Sequence, residues 1–460
     1  MNILNPATEE IIATLAVDSP ASLMEKYRKL KRAQKDWARV LLKDRIELLT
    51  RFKGLLEAEL APLAEILTAE TGKPLRQARN EINGAVNRIA WLTDHAAHYL
   101  SNELMQERDG VRELIAYEPL GVVGNISAWN YPYLVGVNVF VPALIAGNAV
   151  LYKPSEFATL TGRAIDGLLK RAGVPTDVFQ LAVGDGEVGK VLLTMNLDGY
   201  FFTGSYSTGR YIYEEVSRKM VPCQLELGGK DPLYIADDVR DVKAVAEATA
   251  DGAFYNNGQS CCSVERIYVH QGIYDDYLHY FVRQVKEWKM GNPLDSDTYF
   301  GPLTRGAHLH LLEEQVADAL KKGAKLLCGG KAVDGKGFYF EPTVLIDVNH
   351  TMQVMKEESF GPIIGIMKVA SDEEALSLMQ DTHYGLTAGV YAESEERAVS
   401  LLKEIETGSA YWNCCDRVSA ALPWSGRKHS GIGVTLSHQG LRAFTKAKAW
   451  HLAGNKADCP

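Results

Sequence analysis

The chain has no stretch suited to crossing a bilayer. Its most apolar segment, Leu134 to Val150, is short and is interrupted by Asn138, Gly147 and Asn148. It has no excess of basic charge. Lys and Arg number 49 against 58 Asp and Glu, a net charge of −9, so neither nucleic acid nor an anionic membrane is expected as a partner. No Cys-x-x-Cys and no histidine-rich cluster occurs, and no metal site is expected. Seven cysteines in 460 residues, two pairs of them adjacent, do not make a disulfide framework. Met1 to Pro6 lacks the basic segment and apolar run of a secretory signal. A reducing cytoplasm is the expected compartment. Low-complexity segments and short-period repeats are absent, and so is a Gly-x-Gly-x-x-Gly fingerprint where a dinucleotide site would need it.

What is present is a cysteine pair in an unusual place. Phe254-Tyr255-Asn256-Asn257-Gly258-Gln259-Ser260-Cys261-Cys262-Ser263 runs from a turn signal to the strand-like Arg266 to Val269. Asn-Asn-Gly breaks regular structure because Gly, and next to it Asn, tolerates positive φ. A thiol fixed at such a junction can face a cleft. Read alone, a buried cysteine is more simply a packing residue. Around the pair, however, the chain supplies a carboxylate between leucines (Leu225-Glu226-Leu227-Gly228-Gly229-Lys230), an amide in Trp129-Asn130-Tyr131-Pro132, and a second carboxylate in Glu358-Ser359-Phe360-Gly361-Pro362.

The pattern of elements predicts an α/β protein. Asp18-Ser19-Pro20 opens a helical region, and from Ser22 to about Leu100 apolar residues recur every three and four positions, with breaks near Leu42 and Thr71 to Pro74. This region reads as scaffold. Strands then alternate with helices: Gly121 to Ile126, a helix over Asn138 to Ile145, Ala149 to Pro154, a helix over Leu160 to Ala172, Val178 to Val183, a helix over Val188 to Asn196, and Gly199 to Gly204. From Asp231 to about Trp424 the alternation resumes, with strands at Leu233 to Ala236, Arg266 to Val269 and Gly389 to Tyr391, and helices at Val242 to Ala253 and Glu395 to Ile405. Such alternation implies parallel sheets, whose ligands sit at the carboxyl ends of strands. The tail from Ala453 to Pro460, with Cys459, is expected to fray.

Six motifs and a weaker seventh, in this order, carry a family resemblance. They are Ala128-Trp129-Asn130-Tyr131-Pro132, Tyr152-Lys153-Pro154-Ser155-Glu156, Phe202-Thr203-Gly204-Ser205 with Gly209, the Leu225 to Lys230 run, Gly258-Gln259-Ser260-Cys261, Glu358 to Pro362, and Ser430-Gly431-Ile432-Gly433. The sequence resembles the NAD(P)-dependent aldehyde dehydrogenase superfamily over most of its length. The resemblance implies two Rossmann-like doubly wound parallel-sheet domains and a small β oligomerisation arm. The cofactor domain is expected in 1–98 and 121–228, the catalytic domain in 229–426, and the arm and C-terminal strand in 99–120 and 427–460. The arm, Glu113 to Leu120 with Lys446 to Leu452, implies self-association as a dimer or tetramer.

For the site, the resemblance implies Cys261 as nucleophile, Glu226 as base for thioester hydrolysis, and Asn130 with the Cys261 N–H as oxyanion donors. It implies cofactor contacts from Ser127, Ala128, Trp129, Lys153, Glu156, Gly186, Gly204, Ser205, Gly209, Leu227, Glu358 and Phe360. A carboxylate at Glu156 accepts from a ribose 2′-OH and repels a 2′-phosphate, so NAD is expected over NADP, with NADP not excluded. Tyr131, Val135, Tyr255, Ser260, Cys262, Cys415 and Arg417 are expected around a small-molecule aldehyde. Arg417 reads either as a carboxylate ligand or as a solvated rim charge.

The chain departs from the family pattern. Many members carry Lys where Val139 stands and Glu where Thr435 stands, a pair thought to move protons around the base. Deacylation is therefore expected to rely on water around Glu226. Pro423-Trp424-Ser425-Gly426 also replaces the usual Pro-Phe-Gly-Gly. Two other readings compete: a coenzyme A-acylating dehydrogenase, which Glu226 opposes, and a catalytically silent structural protein, which the intact Asn130, Glu226 and Cys261 set opposes.

Overall fold

The computed structural model describes residues 1–453. The expected frayed tail with Cys459 lies outside the described residues, except for Ala453 itself.

Six strands form the first sheet, in the order Gly431–Ile432, Cys223–Glu226, Gly199–Thr203, Val122–Ile126, Ala149–Lys153, Phe179–Leu181. Five run parallel and Gly431–Ile432 is antiparallel. The strands Val122–Ile126 and Ala149–Lys153 are buried throughout, as a sheet covered on both faces requires. The helices Pro20–Trp37, Leu42–Ala58, Leu60–Thr71 and Leu75–Tyr99 pack their apolar faces into the same core. Ser19 opens the first of these, its hydroxyl accepting the Ser22 N–H at 3.1 Å, with Pro20 in the first turn where no N–H is needed.

The second sheet has seven strands, in the order Lys325–Cys328, Thr343–Ile346, Ile363–Val369, Arg266–His270, Pro232–Ile235, Thr387–Tyr391, Ser409–Trp412. Only Lys325–Cys328 is antiparallel. A separate three-stranded sheet joins Glu103–Arg108, Val111–Pro119 and Thr445–Ala453. Leu104 and Met105 on its outer strand are exposed. Among the described residues no helix is long and apolar enough to cross a membrane.

Three differences from the sequence reading have physical causes. The helix expected from Asn138 begins at Pro132 and runs to Ala146. It is apolar on every side, so no periodicity marks its start. The strand Cys223–Glu226 carries no strand signal in the sequence, because Cys-Gln-Leu-Glu has no β-branched or aromatic residue. Gly431–Ile432, read with the arm, instead pairs with Leu225 and Glu226 in the first sheet, and Leu441 and Phe444 join its core.

Candidate active site

The carboxyl ends of the first sheet's parallel strands open on a cleft of about 890 Å³ between the two sheets. Ser127 to Asn130 follow the strand Val122–Ile126, Lys153 to Phe157 follow Ala149–Lys153, Gly204 and Ser205 follow Gly199–Thr203, and Glu226 ends Cys223–Glu226. The second sheet's side contributes Cys261, Glu358 and Phe360. Asn130, Glu226 and Cys261 therefore share one cleft with every expected cofactor residue except Gly209. Gly209 is buried in the helix Tyr206–Ser217, where a Cβ would collide with Leu227, so its smallness serves packing.

The loop that carries Cys261 is held by its own amides. Asn256, Asn257 and Gly258 have φ of 55°, 56° and 67°, the left-handed region open to Asn and Gly. Asn256 Nδ2 donates to the Gln259 carbonyl at 3.0 Å, and Asn257 Nδ2 donates to the carbonyls of Gly301 and Pro302, each at 3.0 Å. Asn130 Nδ2 donates to the same Gln259 carbonyl at 3.2 Å. This single bond leaves the second amide hydrogen of Asn130 for a ligand. The Asn130 backbone carbonyl accepts from Lys73 Nζ at 2.6 Å. Lys73 forms a buried ion pair with Glu81 and lies over the Tyr131 ring, 3.8 Å from its centroid.

Glu226 is 8% exposed, and burial pushes its carboxyl up to about 8. Two donors pull the other way: Thr435 Oγ1 at 3.1 Å and Gln224 Nε2 at 3.4 Å, both to Oε1. Burial thus brings the carboxyl close to physiological pH, and Thr435, which stands there in place of a carboxylate, touches it directly. The sequence reading, which left Glu226 with water alone, missed this contact. Val139 is buried and apolar.

Glu358 faces the same cleft. Burial and the nearby Glu265 carboxylate push it up to about 8, while the Gly229 N–H donates to it at 3.1 Å. A Cβ at Gly228 would collide with this carboxylate. Glu265 anchors the loop: it pairs with Lys230 at 2.5 Å and accepts the N–H groups of Ser359 and Phe360. The Phe360 ring meets Trp129 edge-on at 5.5 Å. At the opposite end, burial lowers the Lys153 ammonium and Glu156, 3.9 Å away, raises it. Ser205 caps the helix Tyr206–Ser217, which points its N-terminal N–H groups at the cleft. Gly186 has open space where a Cβ would be. The cleft's size, its glycine-walled floor and one carboxylate toward each end fit a dinucleotide. Residues not anticipated there include Lys190, Tyr211, Arg305 and His308. No motif marked them, since they come from helix faces and a distant loop.

The expected aldehyde-side residues do not line this cleft. Cys262 is buried, its Sγ donating to Asp416 Oδ1 at 3.1 Å, and Ser260 Oγ donates to the same oxygen at 3.3 Å. The hydrogen bond with Cys261, with burial, holds the Cys262 thiol well above its usual range. Tyr131, Val135 and Tyr255 are half-buried, and Tyr255 OH accepts from Asn80 at 3.0 Å. Cys415 is a packing residue against Gly252 and Tyr391. Arg417 is exposed, and only its carbonyl has a partner, the Tyr411 hydroxyl. An exposed guanidinium is what the rim-charge reading of Arg417 expects.

The sequence profile of the aldehyde dehydrogenase family matches residues 1–450. The chain belongs to the aldehyde dehydrogenase family. It is 33% identical to aminoaldehyde dehydrogenase 1 of Malus domestica over 97% of this chain and 91% of that one. It is 32% identical to glutarate-semialdehyde dehydrogenase of Pseudomonas putida over 97% and 93%. A solved 3,6-anhydro-L-galactose dehydrogenase in complex with NAP (NADP) superposes with a TM-score of 0.94 at 32% identity, over 98% of this chain and 96% of that one. The protein is thus an oxidoreductase of the NAD(P)-using kind that oxidises aldehydes, on the family's α/β fold.

Proposed function

We propose that this aldehyde dehydrogenase works through a covalent thioester on Cys261 that Glu226 helps to hydrolyse. The observation that carries the reading is that Cys261, Asn130 and Glu226, from three separate segments, open on the same dinucleotide-sized cleft. Cys261 attacks the aldehyde carbon. The Asn130 amide, already fixed by Gln259, and the Cys261 N–H hold the oxyanion. A nicotinamide cofactor, when bound there, would accept the hydride that leaves the former aldehyde carbon, and the thioester would remain on Cys261. Glu226 then takes a proton from water as the water attacks the thioester, releasing the carboxylic acid and the Cys261 thiol. A base so placed favours hydrolysis over transfer to coenzyme A. Glu156, Lys153, Ser205 and Glu358 would hold the cofactor. We assign NAD as the preferred form, since the Glu156 carboxylate repels a 2′-phosphate. The exposed outer strand Glu103–Arg108 suits self-association through the arm.

Pre-steady-state NADH formation tests this. The parent enzyme turns over, Glu226→Gln gives one NADH per site and then stalls, and Cys261→Ala gives none. Full activity in Glu226→Gln would overturn the role of the base. Glu156→Ser raises kcat/KM for NADP relative to NAD. An unchanged ratio would remove Glu156 as the discriminator.

A further inference from the structure

Two buried charges stand outside the mechanism. The side chains of Lys73 and Glu81 are 1% and 0% exposed and pair with each other. A buried ion pair gives up the hydration of both charges and is often no more stabilising than an apolar pair of the same volume. Where the other hydrogen bonds of this pair go shows a different use. The Lys73 ammonium has three N–H groups. One meets Glu81, one donates to the Asn130 backbone carbonyl at 2.6 Å, and the Tyr131 ring covers the remaining side, its centroid 3.8 Å away. Glu81 Oε2 faces Lys73, while Oε1 accepts the Tyr133 N–H at 2.8 Å in the first turn of the helix Pro132–Ala146. The pair thus grips the chain on both sides of Tyr131-Pro132.

The grip continues into the loop that carries Cys261. The Asn130 carbonyl also accepts from Asn256 Nδ2 at 3.3 Å. The same Nδ2 donates to the Gln259 carbonyl at 3.0 Å, and Asn130 Nδ2 donates to that carbonyl at 3.2 Å. These bonds close a ring from the Asn130 carbonyl through Asn256 and Gln259 back to the Asn130 side-chain amide. The ring commits one hydrogen of Asn130 Nδ2, and because the amide is planar it fixes the direction of the other. The second oxyanion donor, the Cys261 N–H, lies two residues beyond Gln259 on the same ring. Lys73 adds a charge-assisted bond, about twice as strong as a neutral one. Its own backbone is fastened to the Cys261 loop through Thr304. The Thr304 hydroxyl donates to the Thr71 carbonyl at 2.6 Å, and the Thr304 N–H donates to Gln259 Oε1 at 3.1 Å. Gly72, at φ +78°, leaves no room for a Cβ beside Pro302 and Pro6.

We propose that Lys73 is a positioning residue for the oxyanion site: by holding the Asn130 carbonyl it aims the Asn130 side-chain amide, with Glu81 as its counter-charge. This rests on the reading of Asn130 as an oxyanion donor. Lys73 is buried behind Asn130 and does not line the cleft, so it acts on the chemical step and not on binding of aldehyde or cofactor.

The test is a double-mutant cycle with Asn130→Ala. Lys73→Met/Glu81→Gln removes both charges, keeps an oxygen for the Tyr133 N–H, and avoids the unpaired buried carboxylate that Lys73→Met alone would leave. The readout is the rate constant of the pre-steady-state NADH phase, which does not depend on how much of the enzyme is folded. In the parent background it falls about tenfold to a hundredfold with KM within about threefold, since a misplaced catalytic group costs up to about 10²-fold. In the Asn130→Ala background the same two substitutions cost less than about twofold, because the amide they aim is gone. Equal losses in both backgrounds would make Lys73 a structural tie, and an unchanged rate constant in the parent background would equally overturn the proposal. If Lys73→Met/Glu81→Gln does not fold, Lys73→Arg, which puts a planar fork where a compact ammonium fits, goes through the same cycle under the same criteria. A crystal structure of the variant separates the two layers of the argument. An Asn130 amide turned away from the Gln259 carbonyl supports the positioning role even if Asn130→Ala keeps full activity and the oxyanion reading fails. An unmoved amide overturns it.

Discussion

Thr435→Val should disable the base without touching the nucleophile. Thr435 Oγ1 donates to Glu226 Oε1 at 3.1 Å, and this bond favours the ionised carboxylate over the neutral acid. Removing it raises a pKa that burial already holds at about 8. A hydrogen bond to a charged group contributes about 1.5 kcal/mol at the low end of its range, and one pKa unit corresponds to about 1.4 kcal/mol, so the expected rise is about one unit. At pH 7 the ionised fraction of Glu226 then falls about tenfold, and hydrolysis of the thioester falls with it. The assay is the pH dependence of steady-state kcat with the NADH burst recorded alongside. The acidic limb should move up by about one unit, the burst amplitude should persist, and Thr435→Ser should restore the parent profile. A limb that stays in place with Thr435→Val would refute the claim that this hydroxyl sets the base. Loss of the burst would show damage to acylation instead.

Other consequences follow from single residues. Asn130→Ala removes one oxyanion donor and should lower kcat about 10²- to 10³-fold with the fold intact by circular dichroism. Glu226→Gln should change stability with a definite sign. The folded carboxyl sits at about 8, above an unfolded value of about 4.3, so the stability it contributes is present below the unfolded value and is lost as pH rises through 8. Glutamine does not ionise, so by urea unfolding the variant should match the parent at pH 4 and exceed it at pH 9 by up to about 5 kcal/mol. Gly258→Ala places a Cβ at φ +67° against the Gly361 carbonyl. It should cost about 1–3 kcal/mol in thermal unfolding and reduce activity through the displaced Cys261 loop.

The sequence exposed the parts of the site that local chemistry writes down. Asn256-Asn257-Gly258 announces a left-handed turn because few other residues tolerate one, and the three φ values show it. Strand ends such as Ile126 and Lys153 could be found from apolar runs bounded by turn residues, and the residues after them do line the cleft. Contacts made across the chain left no such trace. Thr435 and Glu226 are 209 positions apart, and Cys262 and Asp416 154 apart. The helical region from Ser22 to Leu100 read as plain scaffold because its periodicity reports a buried face and not what that face meets. Its Lys73 and Glu81 prove to brace Asn130 and the chain after it, and Arg88 has neutral partners only once the helix Pro132–Ala146 is laid against it. For Arg417 the sequence leaves two readings open, and nothing in it shows that the loop turns the backbone carbonyl toward Tyr411 and leaves the side chain exposed.

The central claim, a thioester on Cys261 released by Glu226, is most directly tested by stopping the reaction between its two halves. Glu226→Gln enzyme mixed with NAD and an aldehyde, quenched in acid and digested, should show the peptide carrying Cys261 and Cys262 heavier by one acyl group, with fragmentation placing that group on Cys261. An acyl group on Cys262, or an unmodified peptide in an enzyme that has produced NADH, would contradict the account.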